Sequence, residues 1–163
     1  MRLAAAAALV GFAMPCAGVE EATFTVRTIT PEAALKAATA ALARCRAEGF
    51  QVTVAVVDRS GVPQALVRDR FASPQSVELA QRKAQTSVNF RMDTVALDHE
   101  LQPGRPAAAL RGQPNVAAIA GGVKIEAGGS LVGAIGVSGA PGPMNDDLCA
   151  RAGLKAIAED LEF

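Results

Sequence analysis

The chain has one histidine, His99, and it stands between Asp98 and Glu100 in a segment that reads as a short helix. An imidazole in that setting can ligate haem iron or another metal. It can equally sit solvated on a charged helix face. A second group is Gln81-Arg82-Lys83-Ala84, with Arg91 further along the same predicted helix. Cations grouped this way suit an anionic ligand such as a carboxylate or a propionate, or ordinary solvation. The third group is Glu159 and Glu162, an ExxE pair on the predicted terminal helix. Spaced by three, both carboxylates can face one way and hold a cation weakly, although a solvated acidic helix end explains them too.

Other chemistries lack their residues. There is no CxxC, no HExxH and no P-loop, and the glycines around Gly121 and Gly128 do not form a GxGxxG that opens a helix. No serine lies in a nucleophile-elbow pattern, which argues against a Ser-His-Asp hydrolase.

The elements that must position these residues follow from periodicity and punctuation. Residues 24–29 alternate as F-T-V-R-T-I, a half-buried strand. Thr30, Pro31 and Glu32 then open a helix whose apolar stripe includes Leu35, Ala38, Leu42 and Cys45, and Gly49 ends it. Residues 52–57 and 63–67 flank the turn Asp58-Arg59-Ser60-Gly61 and predict an antiparallel hairpin. Helices are expected over 76–90 and 92–101, then an irregular Pro- and Gly-rich loop over 103–115 with a turn of helix. A second hairpin joins strands 123–126 and 131–137, the latter apolar on both faces and therefore central. A helix over 145–161 closes the chain. The order β-α-β-β-α-(α)-β-β-α predicts an α/β (α+β) domain, with a five-stranded antiparallel sheet and helices packed on it.

Composition limits the partners. The 163 residues fit one domain, formal net charge is zero, and there is no Trp or Tyr. Neither a strong field nor a set of stacking platforms exists for nucleic acid. At the start, Arg2 precedes an apolar run from Leu3 to Met14, and Cys16-Ala17-Gly18 places small residues at −3 and −1. The pattern predicts a secretory signal over residues 1–18, cleaved after Gly18, and a single domain over 19–163. The run is too short to span a bilayer comfortably, so no stable membrane insertion is expected after cleavage. Export to the periplasm or the medium leaves Cys45 and Cys149 in an oxidising compartment, either as a bridge or as two separately buried thiols.

Several segments, taken in series, resemble the GlcG/HbpS-like family of small haem-associated proteins. They are V-T-V-A-V-V-D-R-S-G at 52–61, A-Q-R-K-A-Q-T-S at 80–87 and A-G-G-V-K-I at 120–125. The last two are G-A-I-G-V-S-G-A-P-G at 133–142 and D-D-L-C-A-R-A-G-L at 146–154. The resemblance covers nearly all of the chain after the signal. It implies a profilin-like fold, homo-oligomeric assembly and a Cys45–Cys149 disulfide. Family members typically carry F-x-x-P-T after the R-K-A-x-T-S helix, in the region that contacts haem. Here the stretch is Phe90-Arg91-Met92-Asp93-Thr94, so Thr94 matches and Asp93 departs from the pattern. By resemblance the chain is an exported binder of haem or a related tetrapyrrole, with a role in sensing, scavenging or iron handling. Thr94, His99, Lys83, Arg82 and Arg91 are its candidate ligand-binding residues, and Met92 is a further soft donor. The alternatives are a binder or enzyme for a small organic acid, using a pocket near Lys83, Gly121 and Gly122, and an accessory oligomer with no small-molecule ligand.

Overall fold

The computed structural model describes residues 22–162; the expected signal peptide lies outside the described residues. Helix α1 spans Pro31–Ala47. Thr30 caps it by accepting the Ala33 N–H at 3.3 Å, with Pro31 in the first turn. Gly49 follows its end at φ +80°, a conformation that costs glycine little. The stripe it buries is Ala34, Ala37, Ala38, Ala41, Leu42 and Cys45. Leu35, expected on that stripe, is 54% exposed. It follows Ala34 by one residue, and that step turns it onto a neighbouring face.

Strands β1 (Thr53–Asp58) and β2 (Pro63–Arg68) form the first hairpin. Asp58 closes its turn by accepting the N–H groups of Ser60 at 2.8 Å and Val62 at 3.0 Å. Helices α2 (Gln75–Phe90) and α3 (Thr94–Glu100) follow, then a 3-10 turn over Ala108–Gly112. Strands β3 (Gly122–Ala127) and β4 (Ser130–Ser138) make the second hairpin, and α4 spans Pro143–Ala156. The sheet order is β2-β1-β4-β3, antiparallel throughout. β4 is therefore central, as its apolar sequence requires.

Two expectations fail here. The sheet has four strands rather than five. The stretch over 24–29 meets the sheet only at its end, where Ile29 N donates to Val132 O at 2.9 Å. Its other apolar side chains find no layer to pack against, and Phe24 is 87% exposed. A strand without a ladder and without a buried face has nothing to hold it in a sheet. The second failure is at the C-terminus. α4 ends at Ala156, Glu159 belongs to a separate 3-10 turn (Glu159–Leu161), and Glu162 is extended beyond it. The two carboxylates are exposed and do not share an α-helical face. Among the described residues, no group of three or more His, Cys, Asp or Glu is placed to hold a metal ion.

Helices α1 and α4 lie together on one face of the sheet. Their small residues pack on Val54, Val56, Val123, Ile125, Ile135 and Val137. A disulfide joins them: Cys45 and Cys149, both fully buried, stand with Cα atoms 5.6 Å apart. Helix α2 covers the opposite face over Val57 and Ala134. Gly136 permits that contact, because a Cβ there would overlap Ala80 O and lie 2.7 Å from Ala84 N. Both obstacles are helix backbone, which cannot rotate away. Gly136→Ala should therefore cost about 3 kcal/mol, the upper end of ordinary overpacking. Urea unfolding checks this, and a loss below about 1 kcal/mol would mean that α2 lifts off β4 with little resistance.

Candidate functional site

Where α2 crosses the end of the sheet, it carries Lys83 into the interior, 1% exposed. Lys83 Nζ lies 2.7 Å from Asp146 Oδ2, in the first turn of α4, and donates to Val137 O at 2.9 Å. The other carboxylate oxygen of Asp146 accepts the Ala140 N–H at 3.0 Å. Burial pushes the Lys83 ammonium below its ordinary pKa, and the adjacent Asp146 charge opposes that push. Burial likewise raises the Asp146 carboxyl, against the charge of Lys83.

Glycines let the chain pass close to this pair. At Gly121, with φ +115°, a Cβ would stand 2.7 Å from Asp146 Cβ and 3.0 Å from Lys83 Nζ. At Gly122 it would stand 2.6 Å from Thr94 Cγ2. Thr94 Oγ1 donates to Ile119 O at 2.7 Å and accepts the Gly122 N–H at 2.8 Å. Lys83, Thr94, Gly121 and Gly122 thus come together from α2, α3 and the start of β3. They meet as a packed, internally satisfied cluster. The amine of Lys83 is taken by Asp146, and a Cβ on either glycine would meet protein atoms.

Asp93, just ahead of α3, has φ −63° and ψ 139°. That φ is one proline would also adopt. The departure at this position leaves the backbone in the same region while adding a carboxylate. Its Oδ1 accepts the Lys124 N–H at 3.0 Å, and its Oδ2 lies 3.1 Å from Arg151 Nη2. Arg151 also holds Asp147 at 2.6 Å. The start of α3 is tied in this way to β3 and α4.

Beside this cluster runs a groove of about 420 Å³. It is lined by Val95 and Asp98 of α3, Pro143 and Met144 of α4, and Ala118, Ile119 and Ala120 of the segment ahead of β3. Arg111, from the 3-10 turn, lines it too, with Nη2 2.6 Å from Asp98 Oδ1 and Nε donating to Leu101 O at 3.0 Å. Arg111, Ile119 and Met144 were not anticipated from sequence. The long loop over 103–115 was the available signal, since such loops in compact domains are commonly functional. A second groove, about 440 Å³, lies between residues 27–30, the start of α1 and Leu161, and holds none of the candidate residues.

The remaining candidates lie elsewhere. His99 has a side chain 69% exposed, within 3.1 Å of Arg105 Nη2 and 3.5 Å from Glu100, and it does not line the groove. Arg82 is adjacent to Lys83 in α2, so it faces a different way; it donates to Pro114 O and pairs with Glu78. Arg91 is exposed at the left-handed end of α2, with φ 52°. The expected cluster of Arg82, Lys83 and Arg91 is therefore not assembled. Met92 packs against Leu97, Leu101 and Ala118 as part of a small core.

The profile of the family described as haem degrading protein HbpS-like matches residues 29–155. The chain belongs to the HbpS-like family. A double mutant of Streptomyces reticuli HbpS superposes with a TM-score of 0.79 at 37% identity, over 90% of this chain and 99% of that one. A PduOC–haem complex superposes with a TM-score of 0.76 at 29% identity, over 80% and 95% respectively. An uncharacterised 15.0 kDa protein from the dhaT–dhaS intergenic region of Citrobacter freundii is 31% identical over 137 residues, 82% of this chain and 95% of the relative. The family match over residues 29–155 spans the elements that build the groove. Among the described residues, no helix of this HbpS-like chain is long and apolar enough to cross a membrane.

Proposed function

We propose that this HbpS-like protein is exported and binds haem or a related tetrapyrrole in the groove between α3 and α4. The carrying observation is the groove's combination of apolar lining with one arginine, beside the likeness to a relative solved as a haem complex. A macrocycle with two propionates asks for apolar surface and a cation. Val95, Ala118, Ile119 and Ala120 offer the first. Arg111 offers the second, because its Nη1 makes no hydrogen bond among the described residues. Thr94 acts by positioning: its hydroxyl fixes Ile119 O, and Ile119 lines the groove.

Bound haem would supply a redox-active iron for sensing, scavenging or iron handling. Val95, Ile119 and Ala120 would hold its apolar face and Arg111 would orient it through a propionate. Export is supported by the signal-like residues 1–18 and by the disulfide, which persists in oxidising compartments.

Haemin titrated into the purified protein at micromolar concentration should give a saturable Soret shift with one equivalent per chain. Arg111→Gln should weaken that binding by about ten-fold or more, the loss of one charge-assisted contact. No Soret shift in the wild type would remove the haem reading altogether.

A further inference from the structure

The strand pattern ahead of α1 finds no ladder in its own chain, and one edge of the sheet is bare. We propose that these two features complete each other between two copies: residues 22–26 of one chain add as a fifth strand to β2 of a second. The arm reads A-T-F-T-V, so Ala22, Phe24 and Val26 share one side of an extended chain and Thr23 and Thr25 the other. Its base is pinned to the sheet, where Thr28 Oγ1 donates to Val132 O at 3.4 Å and Ile29 N to the same oxygen at 2.9 Å. Beyond that base the backbone of residues 22–26 makes no hydrogen bond among the described residues, and Phe24 and Val26 are exposed.

The two edges of the sheet are β3 and β2, and they differ. The β3 edge is closed by the chain itself. Its outward N–H groups at Gly122 and Lys124 donate to Thr94 Oγ1 at 2.8 Å and to Asp93 Oδ1 at 3.0 Å. β2 has no such cover. Asp69 N donates inward to Val52 O, so by antiparallel alternation Leu66 and Arg68 turn their backbone N–H and C=O groups away from β1. Those groups find no partner among the described residues. Leu66 pairs with Ala55 and faces the α2 side, yet α2 packs over β1, β4 and β3, and Leu66 is left 42% exposed. Val62 and Phe71, beyond the two ends of β2, are exposed as well. A bare edge flanked by apolar side chains is a template for another strand. The arm supplies main-chain partners for that edge, and its Phe24 and Val26 side covers Leu66. Direction makes the partner a second copy. The base of the arm rests on β4, and Arg27 Nη1 reaches the β3–β4 turn, 3.3 Å from where a Cβ on Gly128 would stand. That is the side of the sheet opposite β2. Exchange in both directions closes a two-fold dimer with one added strand on each sheet.

The test uses the exported chain without haemin, read by light scattering and by residue-resolved hydrogen exchange. The wild type should associate at micromolar concentration, with the Leu66 and Arg68 amides protected about ten-fold or more relative to the diluted protein. Thr25→Pro combined with Val26→Pro removes an edge-facing donor from the arm in either register. Leu66→Lys puts a charge on the edge instead. Each variant should weaken association by about ten-fold or more and free the Arg68 amide. Residues 22–26 and the Leu66 side chain lie at the surface, so circular dichroism of both variants should match the wild type. Mixing the two is the direct test of exchange. The arm variant keeps an intact edge and Leu66→Lys an intact arm, so protection of Leu66 and Arg68 in the arm variant should return. Four results overturn the proposal: a monomeric wild type, free exchange at Leu66 and Arg68 in the wild type, protection that survives the two prolines or dilution, or a mixture that restores none.

Discussion

Replacing Cys45 and Cys149 together by alanine should lower the melting temperature by about 10–20 °C. The bridge closes a loop with a sequence separation of 104 residues. A cross-link over a loop of about 100 residues removes roughly 4.7 kcal/mol of chain entropy from the unfolded state. A domain of this size shifts by about 2–4 °C for each kcal/mol, which sets the expected range. Both sulfurs are fully buried between α1 and α4. Reductant should therefore act on the folded protein only slowly, and the reduced protein should melt like the double variant. The native packing still needs the two helices together, since Gly153 brings α4 within reach of Ala37 O and Ala41. The unlinked protein should accordingly fold, with native circular dichroism below its melting point. The urea m-value should rise as well, because an unlinked chain opens further. A double variant melting within about 3 °C of the wild type would show that the bridge adds little to what α1–α4 packing already provides.

How far the sequence alone could reach depends on whether the information was local. The cap at Thr30 and Pro31, the stop at Gly49 and the turn at Asp58 through Gly61 are written in adjacent residues, and those elements formed where expected. The central position of β4 followed from its two apolar faces. The failures were of another kind. Residues 24–29 alternate like a strand, but pairing depends on a free neighbouring edge and a covering layer, and periodicity specifies neither. Glu159 and Glu162 have helical spacing in a segment that had already left the helix at Ala156. Lys83 stands out in the sequence as a candidate ligand-binding cation, and the structure buries it in an ion pair with Asp146. The residue that neutralises it, Asp146, lies 63 positions away, and no pattern around Lys83 reveals it. The groove shows the same limit, because Val95, Arg111, Ile119 and Met144 come from four separate stretches that only the fold brings together.

That long-range pair is also where a single substitution should do most harm. Asp146→Asn takes the ion-pair partner from the Lys83 ammonium, leaving it buried against Val137 O with only the Coulombic influence of Asp147, at an expected cost of about 3–5 kcal/mol. The pair itself is a different matter, because burial penalises both charges and each partner only offsets the other's penalty. Lys83→Met combined with Asp146→Leu should therefore recover most of that loss. The pH dependence separates the two groups. The folded pKa of Asp146 is raised, so its contribution to stability is fully present below 3.8 and is lost as pH rises through the folded value. The folded pKa of Lys83 is lowered, so between that value and 10.5 the unfolded state binds the extra proton and stability grows with pH. Without Asp146 the lysine is lowered further, and Asp146→Asn should regain stability between pH 7 and pH 9 more steeply than the wild type. Urea unfolding at those two pH values decides it. A loss below about 1 kcal/mol at neutral pH would mean that water reaches Lys83 once its partner is gone. The same substitution bears on the ligand site. Asp146 holds Ala140 and the first turn of α4, two residues from Met144. Loosening that turn should weaken haemin binding in Asp146→Asn, whereas the repacked double variant, with α4 held by apolar contact, should keep more of it.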